Sequence, residues 1–478
     1  MMLNNDYDVM IIGGGILGVG IAAEAATRGL SVCLAEKKDF GWATSSASSK
    51  LVHGGLRYLE NWDFHLVREA LAEQTILLER APHLVKPLPF YLPHQAHHRA
   101  QWVIRAGLYL YDHLAKRRLP RSRFLRFTQT EPAQNPLLAQ YRSGFCYYDC
   151  QTDDSRLVLI NALLAKQYGA NLLNYCQCVH FERLGDRWHI QLQKHTGEQL
   201  RITAKCLVNA TGPWTSNLQP HLTLRLLQGS HIVIPQQYTH HYAFLLQHPL
   251  DQRVFFVTPY HHHWTMIGTT EIPFQGDPDQ VCISPEEIQY LLAGYNHYFK
   301  NKIAKQDICH HWAGVRTLLN EDNKSVSANT REHVLTLETN ADHQLPCLTI
   351  YGGKLTTYRA ISEHCVNQLS PFFPALKPSQ TTRLRLPGGD PIDLKAYAWL
   401  PPTLLRRYTK NYGSLIDTLL SGCNQLSDLG KEIAPSLYEK EWDYLKQHEW
   451  AIHAEDIVWR RTKLGLALSK DAIEALES

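Results

Sequence analysis

Residues 8–36 read DVMIIGGGILGVGIAAEAATRGLSVCLAE, and this stretch decides how the rest of the chain is read. Val9 to Ile12 is a short apolar run suited to a buried parallel strand. Gly13, Gly15 and Gly18 then supply G-x-G-x-x-G where a helix should begin. Ala22, Ala23, Ala25 and Ala26 favour that helix, and Gly29 suits its stop. Ser31 to Ala35 is a second strand, and Glu36 stands at its end. Gly13 permits a tight turn, Gly15 lets backbone approach a pyrophosphate, and Gly18 lets the helix pack close to the strand. The helix N-terminus offers free N–H groups to phosphate, and Glu36 can accept hydrogen bonds from a ribose diol. The order points to a dinucleotide site but leaves NAD or FAD open.

The chain has 478 residues, enough for two or three domains with large cores. A net charge of +3 is too small to argue for nucleic acid. Eleven cysteines, an odd count without C-x-x-C, read as reduced buried thiols in a cytoplasmic protein. The uncharged run Val9 to Ala23 resembles a signal peptide, but Asp6 and Asp8 precede it and no Lys or Arg does. No stretch reaches the length of a membrane span.

Beyond Glu36 the sequence ATSSASSKLVHGGLRY (residues 43–58) joins small hydroxyl side chains to glycines, Lys50 and Arg57. Such a loop can touch phosphate oxygens and a flat ring. Asp63 to Arg80 reads as a helix. Trp102 to Tyr111 is apolar and aromatic, and Lys116 to Phe127 is basic; together they suit the surface of an anionic membrane. A strand at Phe145 to Asp149 leads to a helix that opens near Asp153 or Asp154. Cys206 to Asn209 is a buried strand running into Ala210-Thr211-Gly212, a second close-approach turn. Paired with the first, it favours a flavoprotein over an NAD enzyme. Strands at Gly229–Pro235, Arg253–Pro259 and Trp264–Thr270 suggest a second, sheet-rich domain. His261-His262-His263 reads as a solvated turn, since no carboxylate or cysteine partner is spaced for a metal. Arg316 ends a strand and can anchor a substrate. Leu348 to Tyr351 is a strand that breaks at Gly352-Gly353 and leads into a helix, and Lys354 there suits a negative group. Residues 386–391 (LPGGDP) read as a linker before a helical C-terminal part.

The sequence resembles the FAD-dependent, respiratory, quinone-linked glycerol-3-phosphate dehydrogenase family. The resemblance rests on the motifs above together with QGSHIVIP, IGTTE, AGVR, YGGKLTTYR, YEKEWDYLKQHEW and AEDIVWRRTKLG. It implies an α/β fold: a discontinuous Rossmann-like FAD-binding domain over residues 1–385, a β-sheet-rich substrate domain interleaved at about 50–110 and 215–320, and a helical domain at 386–478. It implies oxidation of sn-glycerol 3-phosphate to dihydroxyacetone phosphate, with electrons passed to membrane quinone. It further implies peripheral attachment to the inner face of the cytoplasmic membrane, commonly as a homodimer. Gly13, Gly15, Gly18 and Glu36 match the residues that hold the ADP half of FAD. Thr44, Ser45, Ser49, Lys50 and Leu51 match the loop along the pyrophosphate and flavin. Gly212, Gly353, Lys354, Leu355 and Thr356 match other flavin contacts. Arg57 and Arg316 match substrate-binding arginines, with Tyr58, Ser230, His231, Thr269 and Lys354 nearby. Val-Arg-Thr stands where Val-Arg-Pro is usual, leaving Arg316 intact.

The implied chemistry asks for bidentate cations on a phosphate dianion, which arginines supply better than lysines. It also asks for a base near the C2 hydroxyl. His53 and His231 are candidates, and Lys354 becomes one if neighbouring cations and burial lower its pKa. A glycerol-3-phosphate oxidase using oxygen and an amine or amino-acid oxidase on the same scaffold are the competing enzyme readings. A non-catalytic flavin- or phosphate-sensing scaffold is the remaining one, and Arg57, Arg316 and Lys354 speak against it.

Overall fold

The computed structural model describes residues 5–94, 100–127, 135–238, 241–261, 263–318, 333–340, 342 and 344–477. His262 and residues 95–99, 239–240 and 319–320 of the expected substrate domain lie outside the described residues.

The strand Asp6–Ile12 is central to its sheet, which explains its unbroken apolar run. It pairs in parallel with Gln199–Asn209 on one side and Val32–Ala35 on the other. The sheet continues in parallel to Cys347–Gly352 and to Asn171–Leu173, and His333–Glu338 closes one edge antiparallel. Helices Ile16–Thr27, Asp154–Gln167 and Tyr358–Gln368 cover one face, where Val9, Ile11, Ala22, Ile160 and Ile361 share a core. The side chain of Asp153 caps the second of these helices by accepting from the Arg156 N–H. On the other face Met10 and Leu207 pack with Trp188, Ile190 and Leu192 of the strand Arg187–Lys194.

A second sheet of ten strands is mostly antiparallel. It runs through Arg225–Pro235, Trp264–Gly268, Val254–Tyr260, Ala243–Gln247, Lys86–His94 and Ser143–Gln151. His310–Leu318 adds beside Arg225–Pro235, and Arg123–Arg126 beside Ser143–Gln151. Helix Pro285–Tyr298, with a full capping box at Ser284 and Glu287, packs Leu291 and Tyr295 against Ile232, Phe244 and Ile267.

The C-terminal part is helical with its own core around Leu404, Tyr408, Tyr412, Ile416 and Leu445. It also carries a two-stranded hairpin at Glu432–Ala434 and Leu437–Tyr438, which the sequence did not suggest. The α/β fold with a helical C-terminal domain is the class expected. The linker reading is corrected: Leu386 to Gly389 is buried, and a Cβ at Gly388 would lie 2.4 Å from the Tyr412 carbonyl. Buried ion pairs dock the helical part. Arg156 meets Glu449, and Asp39 receives both Arg460 and Arg461.

Candidate active site

The parallel strands end together. Ile12 lies beside Ala35 and Asn209, and Asn209 beside Thr349. In open α/β sheets ligands bind outside such carboxyl ends. A cleft of about 430 Å³ opens there, a size common for cofactor sites. Gly13, Gly15, Glu36, Thr44, Ser45, Ser49, Gly212, Gly353, Lys354 and Leu355 line it, as do His231, Thr269 and Arg316.

The inner end has the chemistry a dinucleotide needs. Gly13 sits at φ +110°, and a Cβ there would lie 2.6 Å from the Ala210 carbonyl oxygen. A Cβ on Gly18 would come within 1.8 Å of the Gly13 carbonyl oxygen, so turn and helix meet backbone to backbone. The helix Ile16–Thr27 has no acidic residue in its first turn to compete for an anion. Ser45 Oγ accepts from the Ile16 N–H at 2.9 Å, pinning the hydroxyl-rich loop to that helix end. Glu36 is buried. It accepts from Gly14 N at 2.7 Å, and from Lys38 N and Trp42 Nε1 at 2.9 Å. Burial pushes its carboxyl above the usual range, while those three donors favour the ionised form.

The outer end is cationic. Arg316, on His310–Leu318, pairs with Glu271. The ammonium of Lys354 lies 3.6 Å from the centroid of the Tyr58 ring. His53 stands close enough to Lys354 for its charge to matter: burial, then Lys354, lowers the imidazole to about 4. Its main-chain N–H donates to Thr356 Oγ1 at 3.1 Å. Among the described residues its ring nitrogens have no hydrogen-bond partner, yet they are not sealed from solvent. His231 differs. Its Nε2 lies 2.9 Å from Ser49 Oγ, its Nδ1 is buried, and its ring stacks on Trp312 at 5.3 Å. Burial, then Lys50, lowers it to about 3.

Several expected site residues do not line this cleft. Gly18 packs behind it, and His53, Tyr58 and Thr356 are grouped around Lys354 without being part of the cleft wall. Arg57 is exposed on the turn Leu56–Asn61. Ser230 is buried, with Oγ donating to Glu287 Oε1 at 2.8 Å. Lys50 is turned away and pairs with Asp154 at 2.7 Å; it and Leu51 line a smaller cavity behind the loop. His261 joins them there, 3.8 Å from Asp153, so the reading of a solvated turn is corrected for His261. The sequence reading gave no role to the wall made by Trp42 and Trp214. Their rings are 5.3 Å apart, with the Lys37 ammonium 4.2 Å from Trp214. A tryptophan six residues after Glu36 is the signal that could have marked it.

Residues 8–359 match the model of the FAD dependent oxidoreductase family, and residues 379–478 match the C-terminal domain of alpha-glycerophosphate oxidase. A glycerol-3-phosphate dehydrogenase of Pseudomonas aeruginosa is 49% identical, over 97% of this chain and 93% of its own. The aerobic glycerol-3-phosphate dehydrogenase of Escherichia coli is 43% identical, over 97% and 95%. The chain belongs to the FAD-dependent glycerol-3-phosphate dehydrogenase family. A solved structure of the glycerol-3-phosphate dehydrogenase from Bacillus halodurans, complexed with FAD, superposes with a TM-score of 0.77. It is 25% identical and covers 100% of this chain and 94% of that one. FAD is therefore the dinucleotide that the opening stretch left undecided. The glycine turn, the unopposed helix end and the buried acid all fit it.

Proposed function

We propose that this protein oxidises sn-glycerol 3-phosphate to dihydroxyacetone phosphate and delivers the electrons to a membrane quinone. The observation that carries the reading is the outer end of the cleft, where Arg316 and Lys354 face one opening and His53 stands beside Lys354. Relatives 49% and 43% identical over nearly the whole chain are named for glycerol 3-phosphate.

Gly13, Gly15, Gly18 and Glu36 hold the ADP half of FAD in this reading. Thr44, Ser45, Ser49, Gly212, Gly353 and Leu355 run along the remainder, and Thr356, off the cleft wall, accepts from the His53 main-chain N–H. Lys50 and Leu51 do not line the cleft and face the cavity behind the loop instead. When bound, FAD supplies the two-electron acceptor. The chain's own residues do the rest. Arg316 and Arg57 take the phosphate dianion, and Lys354 adds positive charge between phosphate and flavin. His53 accepts the C2 hydroxyl proton, being neutral at pH 7 with ring nitrogens uncommitted. His231 positions Ser49 in the cofactor loop. Ser230 and Thr269 support the strand ends from which the site is built.

The membrane part of the proposal is supported by the helix Gln101–His113. Trp102, Val103, Tyr109 and Leu110 are exposed on it, and Lys116, Arg118, Arg121, Arg123 and Arg126 are exposed after it. Among the described residues no helix is long and apolar enough to cross a membrane. The test is steady-state turnover of a panel of polyol phosphates, amines and amino acids, with a quinone analogue or oxygen as acceptor. Turnover of sn-glycerol 3-phosphate with quinone at rates far above peroxide release supports the reading. Equal rates of peroxide release would replace quinone by oxygen.

A further inference from the structure

Behind the cofactor loop lies a second cavity, of about 40 Å³, that the proposed reaction does not use. Its walls come from three parts of the molecule. Ser49, Lys50 and Leu51 belong to the loop, Thr258 to His261 to the second sheet, and Lys410 and Asn411 to the helical C-terminal part. Ser49 also lines the large cleft, so the two spaces share a wall.

The lining offers donors from several sides: the Lys86 and Lys410 ammonium groups, the Thr152 and Thr258 hydroxyls and the Asn411 amide. Thr152 Oγ1, Thr258 Oγ1 and Asn411 Nδ2 are buried without a hydrogen-bond partner among the described residues. Lys86 and Lys410 line it, and among the described residues neither has an ion-pair or hydrogen-bond partner. Two carboxylates face this region, and one oxygen of each is held in an ion pair. Asp153 accepts from Lys463 at 2.9 Å and Asp154 from Lys50 at 2.7 Å. Asp153 Oδ2 faces His261, 3.8 Å away. Four lysines (50, 86, 410 and 463) thus surround two carboxylates, an excess of two positive charges before His261 is counted. Burial is the largest effect on the pKa of Lys410 and of Lys86 and lowers both; at Lys410 it outweighs the nearby Asp153, which acts in the opposite direction.

Water brings donors and acceptors in equal number and leaves that excess charge untouched. A tetrahedral oxyanion brings acceptors only. The volume is several times the roughly 10–15 Å³ that one water needs. We infer that this cavity binds a phosphate-class oxyanion, held by Lys86, Lys410, Thr152, Thr258 and Asn411, which ties the helical domain to the cofactor loop. The occupant is either free orthophosphate or the phosphate group of a metabolite entering past Lys86. The proposal is independent of the reaction assigned to the large cleft.

The test uses the FAD-loaded full chain carrying Arg57→Ala and Arg316→Ala, which removes the proposed substrate-phosphate contacts. Its melting temperature is followed by flavin release as orthophosphate rises, with ionic strength held constant by potassium chloride. The expected result is a saturable rise whose dissociation constant increases about tenfold or more on adding Lys410→Met. Thr258→Val is the second variant should Lys410→Met fail to fold, and it should weaken binding in the same direction. A parallel titration with sn-glycerol 3-phosphate separates the sources. An equal rise identifies a phosphomonoester as a competent occupant, and no rise identifies the free ion. No saturable rise with orthophosphate, or one unchanged by the variants, would overturn the proposal.

Discussion

Arg316 and Glu271 form an ion pair at the rim of the cleft, with side chains 54% and 38% exposed. The arginine proposed to receive the substrate phosphate therefore already has an anionic neighbour. A dianion arriving at Arg316 must share it with that carboxylate or displace it. Exposed pairs are weak, about 1 kcal/mol or less. Glu271→Gln is accordingly expected to tighten competitive inhibition by inorganic phosphate by about two- to fivefold. Inhibition constants measured at fixed ionic strength check this, and weaker inhibition would contradict it.

Removing the arginine acts in the opposite direction and more strongly. Hydrogen bonds to charged groups contribute about 1.5–3 kcal/mol, so Arg316→Ala should raise KM roughly 10- to 100-fold. The flavin spectrum should stay unchanged. An Arg316→Lys variant should recover only part of the loss, because a point charge cannot bind bidentately. A KM unaffected by Arg316→Ala would remove this residue from the substrate site.

His53 and His231 separate by their partners. His53→Ala is expected to lower kcat by about 10²–10⁴ while FAD stays bound, as loss of a positioned base does. His231→Ala removes the contact to Ser49 and should chiefly weaken FAD retention. Flavin content and kcat measured on both variants decide between them. Equal loss of kcat with full flavin in His231→Ala would move the base to His231.

Six imidazoles make stability depend on pH, His261 among them, which burial holds well below its ordinary value. Burial is the first cause that lowers His53, His310 and His333 to about 4, and His83 and His231 to about 3. An unfolded histidine titrates near 6.5, so between that value and 3–4 the unfolded chain binds more protons than the folded one. Stability from these groups is fully present above about pH 6.5 and falls as pH drops toward 4. Thermal melts of the holoenzyme from pH 7.5 to 4.5 should show a steadily falling midpoint. A flat profile would mean these rings are protonated in the folded protein.

Much of this was legible because local chemistry and global position agreed. Val9 to Ile12 could be read as a buried strand, and Gly13 and Gly18 admit no Cβ in the structure, as their spacing suggested. Ala210 to Gly212 completes the same strand-end row. What could not be read depends on partners far along the chain. Lys50, next to serines and before an apolar pair, looks like a phosphate ligand; Asp154, about a hundred residues later, claims its ammonium. His261 looks like part of a polar turn, yet Asp153 and Lys410 close around it. Leu386 to Gly389 has linker composition, and its glycines are there because Arg80 and Tyr412 backbone pass close by. Ser230 carries a hydroxyl that a site could use, but buried Glu287 takes it.

The central claim is that sn-glycerol 3-phosphate reduces the flavin held in this cleft. The direct measurement is the visible flavin absorbance of the purified FAD-loaded protein, titrated with sn-glycerol 3-phosphate without oxygen. Bleaching by this substrate, with no bleaching by its enantiomer or by amino acids and slow bleaching in His53→Ala, is the expected result. A flavin that stays oxidised at saturating sn-glycerol 3-phosphate would contradict the account.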